Sequence, residues 1–126
     1  MDIGVPAEIK TAEKRIGLTP GATNELTSLG HKVVIQSGAG TGAGYEDSSY
    51  QEAGASIVSS AQEVFDSSEM IVKVKEPQSV ERAMLQPHHI LFTYLHLAAD
   101  KPQTDELLDS KATCIAYETV TDDAGR

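Results

Sequence analysis

The sequence predicts an α/β fold, a doubly wound and mainly parallel sheet of about six strands with helices on both faces, Rossmann-like or flavodoxin-like in kind. Short apolar segments recur about every twenty residues, and residues at helical spacing lie between them. Because strands that alternate with helices are joined by crossover connections, neighbouring strands run parallel. The chain has 126 residues, the size of one ordinary domain with its own core.

The strand segments are short, apolar and rich in β-branched or aromatic residues. They are residues 3–5, 31–36, 55–58, 70–75, 89–96 and 113–118. The fifth is the most apolar, and a run of this length suits a strand that is buried on both faces.

Start and stop signals predict the helices. Thr19 is a good N-cap, Pro20 suits the first turn, and Gly30 ends the helix, whose apolar face carries Ala22, Leu26 and Leu29. Further helices are expected from Asp47 as a cap to Gly54, behind a Ser60–Glu63 capping box, behind Ser79 with Val80, Ala83 and Met84 on one face, and from Asp100 with Leu107 and Leu108.

Composition and charge exclude several classes of function. A formal net charge of −9 argues against nucleic acid and against an anionic membrane surface as partners. No apolar run approaches the ~20 residues of a membrane span, and Met1–Gly4 shows no secretion signal. A lone cysteine, Cys114, excludes an internal disulfide and fits a reducing cytoplasm, and we expect it to pack in the core. The polar residues 121–126 supply no element that finishes a fold, so we expect a piece of a longer protein.

The glycine loop Gly38–Ala43 formally matches G-x-G-x-x-A, a pattern that can bind a dinucleotide pyrophosphate. Its context does not fit, because no helix starts directly after it and the next strand ends without an acidic residue for a ribose hydroxyl. We predict no cofactor-binding residue here, only a tight connection that can let another chain or domain approach closely. No metal site is predicted, since His88 and His89 would project to opposite sides of an extended chain.

Polar side chains follow three of the predicted strands. Arg15 lies after the first, Lys75 ends the fourth, and His96 ends the fifth, with Tyr94 on the same face. Taken singly, each has a bland interpretation as a solvated or packed residue. Because carboxyl ends of parallel strands share one edge, the set suits a small carboxylate beside a carbonyl or amine. The two cations would fix the carboxylate and His96 would transfer a proton. Lys73 lies deeper, and we expect it to be paired structurally.

Several runs of this sequence resemble the N-terminal segment of bacterial alanine dehydrogenases, in the alanine dehydrogenase/nicotinamide nucleotide transhydrogenase family. They are residues 4–10, 13–20, 38–40, 72–77, 92–98 and 116–120, so the resemblance extends over essentially the whole chain. It implies NAD-dependent oxidative deamination of L-alanine to pyruvate and ammonia, and the reverse amination. It also implies that Arg15 and Lys75 hold the substrate carboxylate, that His96 is the proton donor and acceptor, and that full-length members form hexamers.

Family members are much longer than this chain. The resemblance therefore implies that residues 1–126 are a single N-terminal substrate-binding domain, and that the NAD domain and a catalytic aspartate are absent. Two alternatives stay open. One is the nucleotide-binding part of a proton-translocating NAD(P) transhydrogenase, whose matching strand generally lacks the Thr-Tyr-Leu-His-Leu run. The other is a non-enzymatic carboxylate-binding or assembly module.

Overall fold

The computed structural model describes residues 1–10, 12–95 and 101–116 of the chain. The strands are β1 (Asp2–Val5), β2 (Lys32–Gln36), β3 (Ser56–Val58), β4 (Met70–Val72), β5 (Ile90–Thr93) and β6 (Thr113–Ala116). The helices are α1 (Pro20–Ser28), α2 (Asp47–Glu52), α3 (Ala61–Ser67), α4 (Ser79–Arg82) and α5 (Lys101–Ser110), with a 3₁₀ turn at Thr41–Ala43. Of the helices in these ranges, none combines the length and the apolar character needed to cross a bilayer.

The six strands form one sheet in the order β3-β2-β1-β4-β5-β6, and every neighbouring pair is parallel. The prediction of a doubly wound parallel sheet is confirmed. Of the two kinds expected, the order is that of the Rossmann fold, and the chain reverses its direction of winding between β1 and β4.

The core consists of two apolar clusters, which strand alternation places on opposite faces of the sheet. Val72 belongs to the first cluster and its neighbour Ile71 to the second. Tyr50 of α2 packs in the first, whereas Phe65 of α3 and Leu107 of α5 pack in the second. Helices therefore cover both faces, as the sequence predicts.

The first helix has the predicted signals. The Thr19 hydroxyl accepts a hydrogen bond from the Ala22 N–H at 3.1 Å, and Gly30 follows the helix with a φ of 94°. Ser60 caps α3 through the Glu63 N–H at 3.2 Å. The predicted capping box is not completed, because the Glu63 carboxylate accepts instead from the Ser59 hydroxyl.

Several helix predictions are wrong in detail, and Leu29 and Leu108, expected as apolar helix residues, are 76% and 72% exposed. Asp47 is the first residue of α2 and does not cap it, because its carboxylate accepts from the Ser37 hydroxyl and the Gly38 N–H at 2.7 and 2.9 Å. The apolar face expected around α4 forms only in part: Val80 is 60% exposed and Glu81 is buried, whereas Met84 packs against the second cluster. The expected cap Asp100 and the last two residues of the sixth predicted strand lie outside the described residues.

Strand β4 ends at Val72, earlier than predicted, because another partner takes the next backbone N–H groups. Lys73 N–H still donates to the Phe92 carbonyl at 3.0 Å. The N–H groups of Val74 and Lys75 donate instead to the Glu8 carboxylate. At the far side of the sheet, Cys114 packs partly buried against the second cluster, so it lies at the margin of the core and not within it as expected, and burial raises the pKa of its thiol.

Candidate active site

The candidate site lies where the winding of the sheet reverses, at the carboxyl ends of β1 and β4. Ligands of open α/β sheets bind in the crevice at such a point. Residues 6–19 follow β1 and carry Arg15, while residues 73–78 follow β4 and carry Lys75. The fold thus brings two of the segments predicted from the sequence to one place.

A cleft of about 380 Å³ opens at this edge. Arg15 and Tyr94 both line it, and so does Val74, the neighbour of Lys75. The other lining residues are Ile16, Gly17, Thr19, Ala43 and Tyr45. Segments that follow β1, β2, β4 and β5 therefore meet around one volume that could hold a small molecule.

Arg15 is held along one edge of its guanidinium by Glu13. Nε donates to Oε2 at 2.9 Å and Nη2 donates to Oε1 at 2.8 Å. The Arg15 side chain is 63% exposed, whereas that of Glu13 is only 6% exposed. This bidentate contact lowers the pKa of Glu13 to about 2, with a smaller contribution from the Lys75 charge, and it raises the pKa of Arg15. The opposite edge, with both Nη1 protons, makes no hydrogen bond to the described residues and can take a second carboxylate.

Lys75 is fixed through its backbone. Its N–H donates to Glu8 Oε1 at 3.0 Å, and its carbonyl accepts from the Thr93 hydroxyl at 2.8 Å. Within the described ranges its ammonium makes no hydrogen bond, so all three donors stay available to a ligand. Because its charge reaches Glu13, Lys75 and Arg15 act on the same region.

A buried ion cluster of Glu8, Lys73 and Glu81 lies beneath this region. Lys73 Nζ lies 3.1 Å from Glu8 Oε1 and 3.0 Å from Glu81 Oε2, and the Lys73 side chain is 1% exposed. The prediction that Lys73 is paired structurally is confirmed. Burial raises the pKa of Glu81, and the nearby Lys73 charge opposes this effect. Loss of one partner of such a buried pair typically costs ~3–5 kcal/mol of stability.

Of the other two predicted site residues, the structure describes Tyr94 but not His96. Tyr94 is partly exposed and lines the cleft, and its N–H donates to the Val74 carbonyl at 3.4 Å. His96, the predicted proton donor and acceptor, lies outside the described residues.

Two glycines of the glycine loop, Gly40 and Gly42, pack closely against other parts of this chain. A Cβ on Gly40 would lie 2.7 Å from the Tyr50 ring, and one on Gly42 would lie 3.2 Å from Cβ and the carbonyl of Lys14. Tyr50 donates from its hydroxyl to the Leu18 carbonyl at 2.8 Å, and burial raises its pKa to about 12. The close approach that Gly40 and Gly42 allow therefore packs the loop against Tyr50 and against the segment after β1 that carries Arg15, here called the Arg15 segment.

The two adjacent histidines occupy a turn, so the extended geometry considered for them is wrong. Their ring centroids are 4.1 Å apart. His89 is buried, its Nδ1 accepts from the Gln86 N–H at 2.9 Å, and its Nε2 lies 2.7 Å from the Phe65 carbonyl. Since Nδ1 is an acceptor, His89 is neutral with its proton on Nε2. Across the described parts of the chain, no three potential ligands are grouped to hold a metal ion.

Sequence reasoning missed three carboxylates in or beneath the site. Glu8 and Glu81 hold Lys73, and Glu13 holds Arg15. One signal was available: a lysine in an apolar strand requires a buried acid. The sequence has 19 acidic residues, and strand and helix patterns do not indicate which one is the partner.

Comparison with known proteins identifies the family. The family described as "Alanine dehydrogenase/PNT, N-terminal domain" matches residues 4–126. An alanine dehydrogenase of Halomonas elongata is 51% identical over 121 residues, which are 96% of this chain and 33% of that protein. An alanine dehydrogenase of Bacillus subtilis is 48% identical over 122 residues, 97% of this chain and 32% of its own length. The chain thus spans about a third of the curated relatives that it matches.

Solved structures agree in fold. A structure titled L-alanine dehydrogenase superposes with a TM-score of 0.96 at 48% identity. The match covers 100% of this chain and 35% of the chain in that structure. A transhydrogenase from Sinorhizobium meliloti superposes with a TM-score of 0.88 at 22% identity. The match covers 94% of this chain and 35% of the transhydrogenase chain. At that identity the second likeness shows the fold alone.

Proposed function

The chain belongs to the family of alanine dehydrogenase/PNT N-terminal domains, and we propose that it is the substrate-binding domain of a longer, two-domain alanine dehydrogenase. The whole protein would convert L-alanine, NAD and water to pyruvate, ammonium and NADH, and would run the reverse amination. Relatives near 50% identity that carry this name support the assignment.

The observation that supports the proposal is the cleft at the carboxyl ends of β1 and β4, which Arg15 lines and where Lys75 follows the lining residue Val74. Arg15 offers the guanidinium edge that Glu13 leaves open, and Lys75 offers an ammonium on a fixed backbone. A carboxylate bound by both would be placed as in a bidentate clamp, with the α-carbon beside it. Tyr94 would line the same pocket. These groups bind and orient the substrate.

His96 is proposed as the proton donor and acceptor. A neutral imidazole can take a proton from water or amine as alanine is oxidised, and return one to the carbonyl oxygen in the reverse direction. Its position three residues after Thr93 in the sequence supports this role, because Thr93 is bonded to the Lys75 carbonyl.

NAD would be held by the part of the protein outside this chain. The glycine loop does not fit a dinucleotide, since Tyr50 and Lys14 occupy the space near its glycines. When bound, NAD supplies the hydride acceptor. We further propose a hexamer in the cytoplasm for the full-length protein, as the resemblance and the single cysteine indicate.

The transhydrogenase alternative has less support. The transhydrogenase structure is 22% identical to this chain, whereas the alanine dehydrogenase structure is 48% identical. Pyruvate- and ammonium-dependent oxidation of NADH by the full-length protein distinguishes the two, because a transhydrogenase does not need these substrates. A non-enzymatic module would bind the carboxylate without turnover.

Substitution of Arg15 tests the carboxylate clamp. In the full-length protein, Arg15→Ala should raise the KM for alanine about a hundredfold, as loss of two charge-assisted hydrogen bonds predicts. Lys14→Ala is the matched control: it removes an adjacent exposed cation but keeps the Cβ that contacts Gly42. Steady-state measurement of NADH formation checks both variants. An unchanged KM in Arg15→Ala, or an effect of equal size in Lys14→Ala, would contradict the clamp.

A further inference from the structure

Glu8 joins the two segments that meet at the candidate site. It lies after β1, and its carboxylate accepts from the Val74 N–H at 3.1 Å and from the Lys75 N–H at 3.0 Å. The same carboxylate lies 3.1 Å from Lys73 Nζ, and its side chain is 2% exposed. These partners are 65, 66 and 67 residues away in the sequence.

These contacts replace the sheet at the end of β4. Beyond Val72, two consecutive backbone N–H groups donate to one carboxylate, and hydrogen bonds to an ionised acceptor are roughly twice as strong as neutral ones. The Thr93 hydroxyl holds the Lys75 carbonyl from the other side. The backbone of Lys75 is therefore fixed by groups from the segments after β1 and at the end of β5.

We propose that Glu8 is a positioning residue that sets the place of Lys75 for the substrate carboxylate. The inference rests on the proposed function, which gives Lys75 its ligand. Glu8 does not reach the ligand itself. It acts through the backbone N–H groups of Val74 and Lys75, and Lys73 neutralises its charge in the buried cluster.

The buried cluster supplies its own control. Lys73 has two carboxylate partners, so Glu8→Gln and Glu81→Gln each leave it with one, and each variant keeps a balanced pair. Of these two carboxylates, that of Glu8 contacts the Lys75 backbone, whereas the backbone partner of Glu81 is the Gln78 N–H at 2.8 Å. Both substitutions therefore remove one buried carboxylate from the cluster. They differ because Glu8 accepts from the Lys75 N–H and Glu81 does not.

Steady-state kinetics of the full-length protein give the first measurement. Glu8→Gln should raise the KM for alanine about tenfold with kcat within about twofold, because a binding contact shared by ground and transition states is weakened. Glu81→Gln should leave the KM within about twofold of wild type. If Glu8→Gln melts before assay temperature, Glu8→Asp, which keeps the charge but shortens the reach, carries the same comparison against Glu81→Asp.

Amide hydrogen exchange gives a second measurement that does not depend on the enzyme's activity. Exchange at Val74 and Lys75 should be faster in Glu8→Gln and unchanged in Glu81→Gln. Equal KM changes in the two variants, or protected amides in Glu8→Gln, would overturn the positioning role. Absence of alanine oxidation in the wild type would instead refute the proposed function, and the exchange result would still decide whether Glu8 holds the two amides.

Discussion

Arg15 shows how one guanidinium can be both anchored and available. Glu13 occupies the Nε and Nη2 edge, so the side chain is oriented before any ligand arrives. The pKa of Glu13 is about 2, and the pair therefore stays ionised throughout the neutral range. Carboxylate binding by Arg15 should not titrate there. In the proposed mechanism, pH dependence near neutrality falls to His96.

His89 should make stability depend on pH. Burial lowers its pKa below the unfolded value of about 6.5, so below that pH the unfolded chain binds a proton that the folded chain excludes. The free energy of unfolding should therefore fall as pH drops from about 7 to about 5, by at most about 1.4 kcal/mol per pH unit for this one group. Urea denaturation across that range measures it.

The control for His89 is its exposed neighbour. His89→Gln should lower stability at every pH, since the bonds to Phe65 and Gln86 are altered, and should flatten the pH dependence. His88→Gln should keep most of the wild-type slope. A slope that survives in His89→Gln would mean that another group titrates.

At the scale of elements, local sequence patterns predicted which segments form strands and helices. They did not predict the residues at which those elements end. The runs that form β1 to β6 are apolar over several residues, and this is visible in the sequence. The end of β4 depends on Glu8, which is 66 residues from Val74, and no local pattern contains that contact. For α4 the expected apolar face formed only in part because four residues are barely one turn, and the burial of Glu81 is set by Lys73.

The candidate site divides in the same way. Arg15, Lys75 and Tyr94 could be placed near one another because parallel strands share an edge where polar residues follow them. The carboxylates that support these residues could not be predicted. Sequence spacing does not indicate which acid pairs with which cation or backbone N–H group. The sequence thus indicated candidate ligand-binding groups, and the three-dimensional fold shows which carboxylates contact Arg15 and the Lys75 backbone.

Gly17 lies where the Arg15 segment packs against the end of β4, and a substitution there tests this contact. A Cβ at this position would lie 2.6 Å from the Val72 carbonyl oxygen, and that oxygen belongs to the backbone. Gly17→Ala should therefore push the segment away from the sheet, lower stability by about 1–3 kcal/mol and raise the KM for alanine. Thermal unfolding and steady-state kinetics of the full-length protein measure the two effects.

Gly21 is the matched control for Gly17. A Cβ there meets only the Thr19 hydroxyl at 3.9 Å, and the residue lies in α1. Gly21→Ala should change stability by less than about 1 kcal/mol, in the stabilising direction, and leave the KM unaltered. Equal losses in both variants would show that the contact with Val72 does not seat the segment.

At the scale of the whole molecule, the sheet positions a cleft at the carboxyl ends of its strands. The winding reversal between β1 and β4 brings together the segments that carry Arg15 and Lys75, and Gly40 and Gly42 of the glycine loop pack against Tyr50 and Lys14. The chain spans about a third of the relatives that it matches. In the proposed function, this domain binds the substrate and the rest of the protein binds the hydride acceptor.

The 126-residue chain alone should not reduce NAD with alanine and should not bind NAD tightly. Hydride transfer requires the reacting atoms to be held about 3–3.5 Å apart, and only the carboxylate side of that geometry is offered here. Circular dichroism would establish that the isolated chain is folded, and the full-length protein in the same assay would show that the reagents are competent. Robust oxidation of NADH with pyruvate and ammonium by a folded isolated chain would contradict this prediction, because the cofactor would then have to bind among residues 1–126.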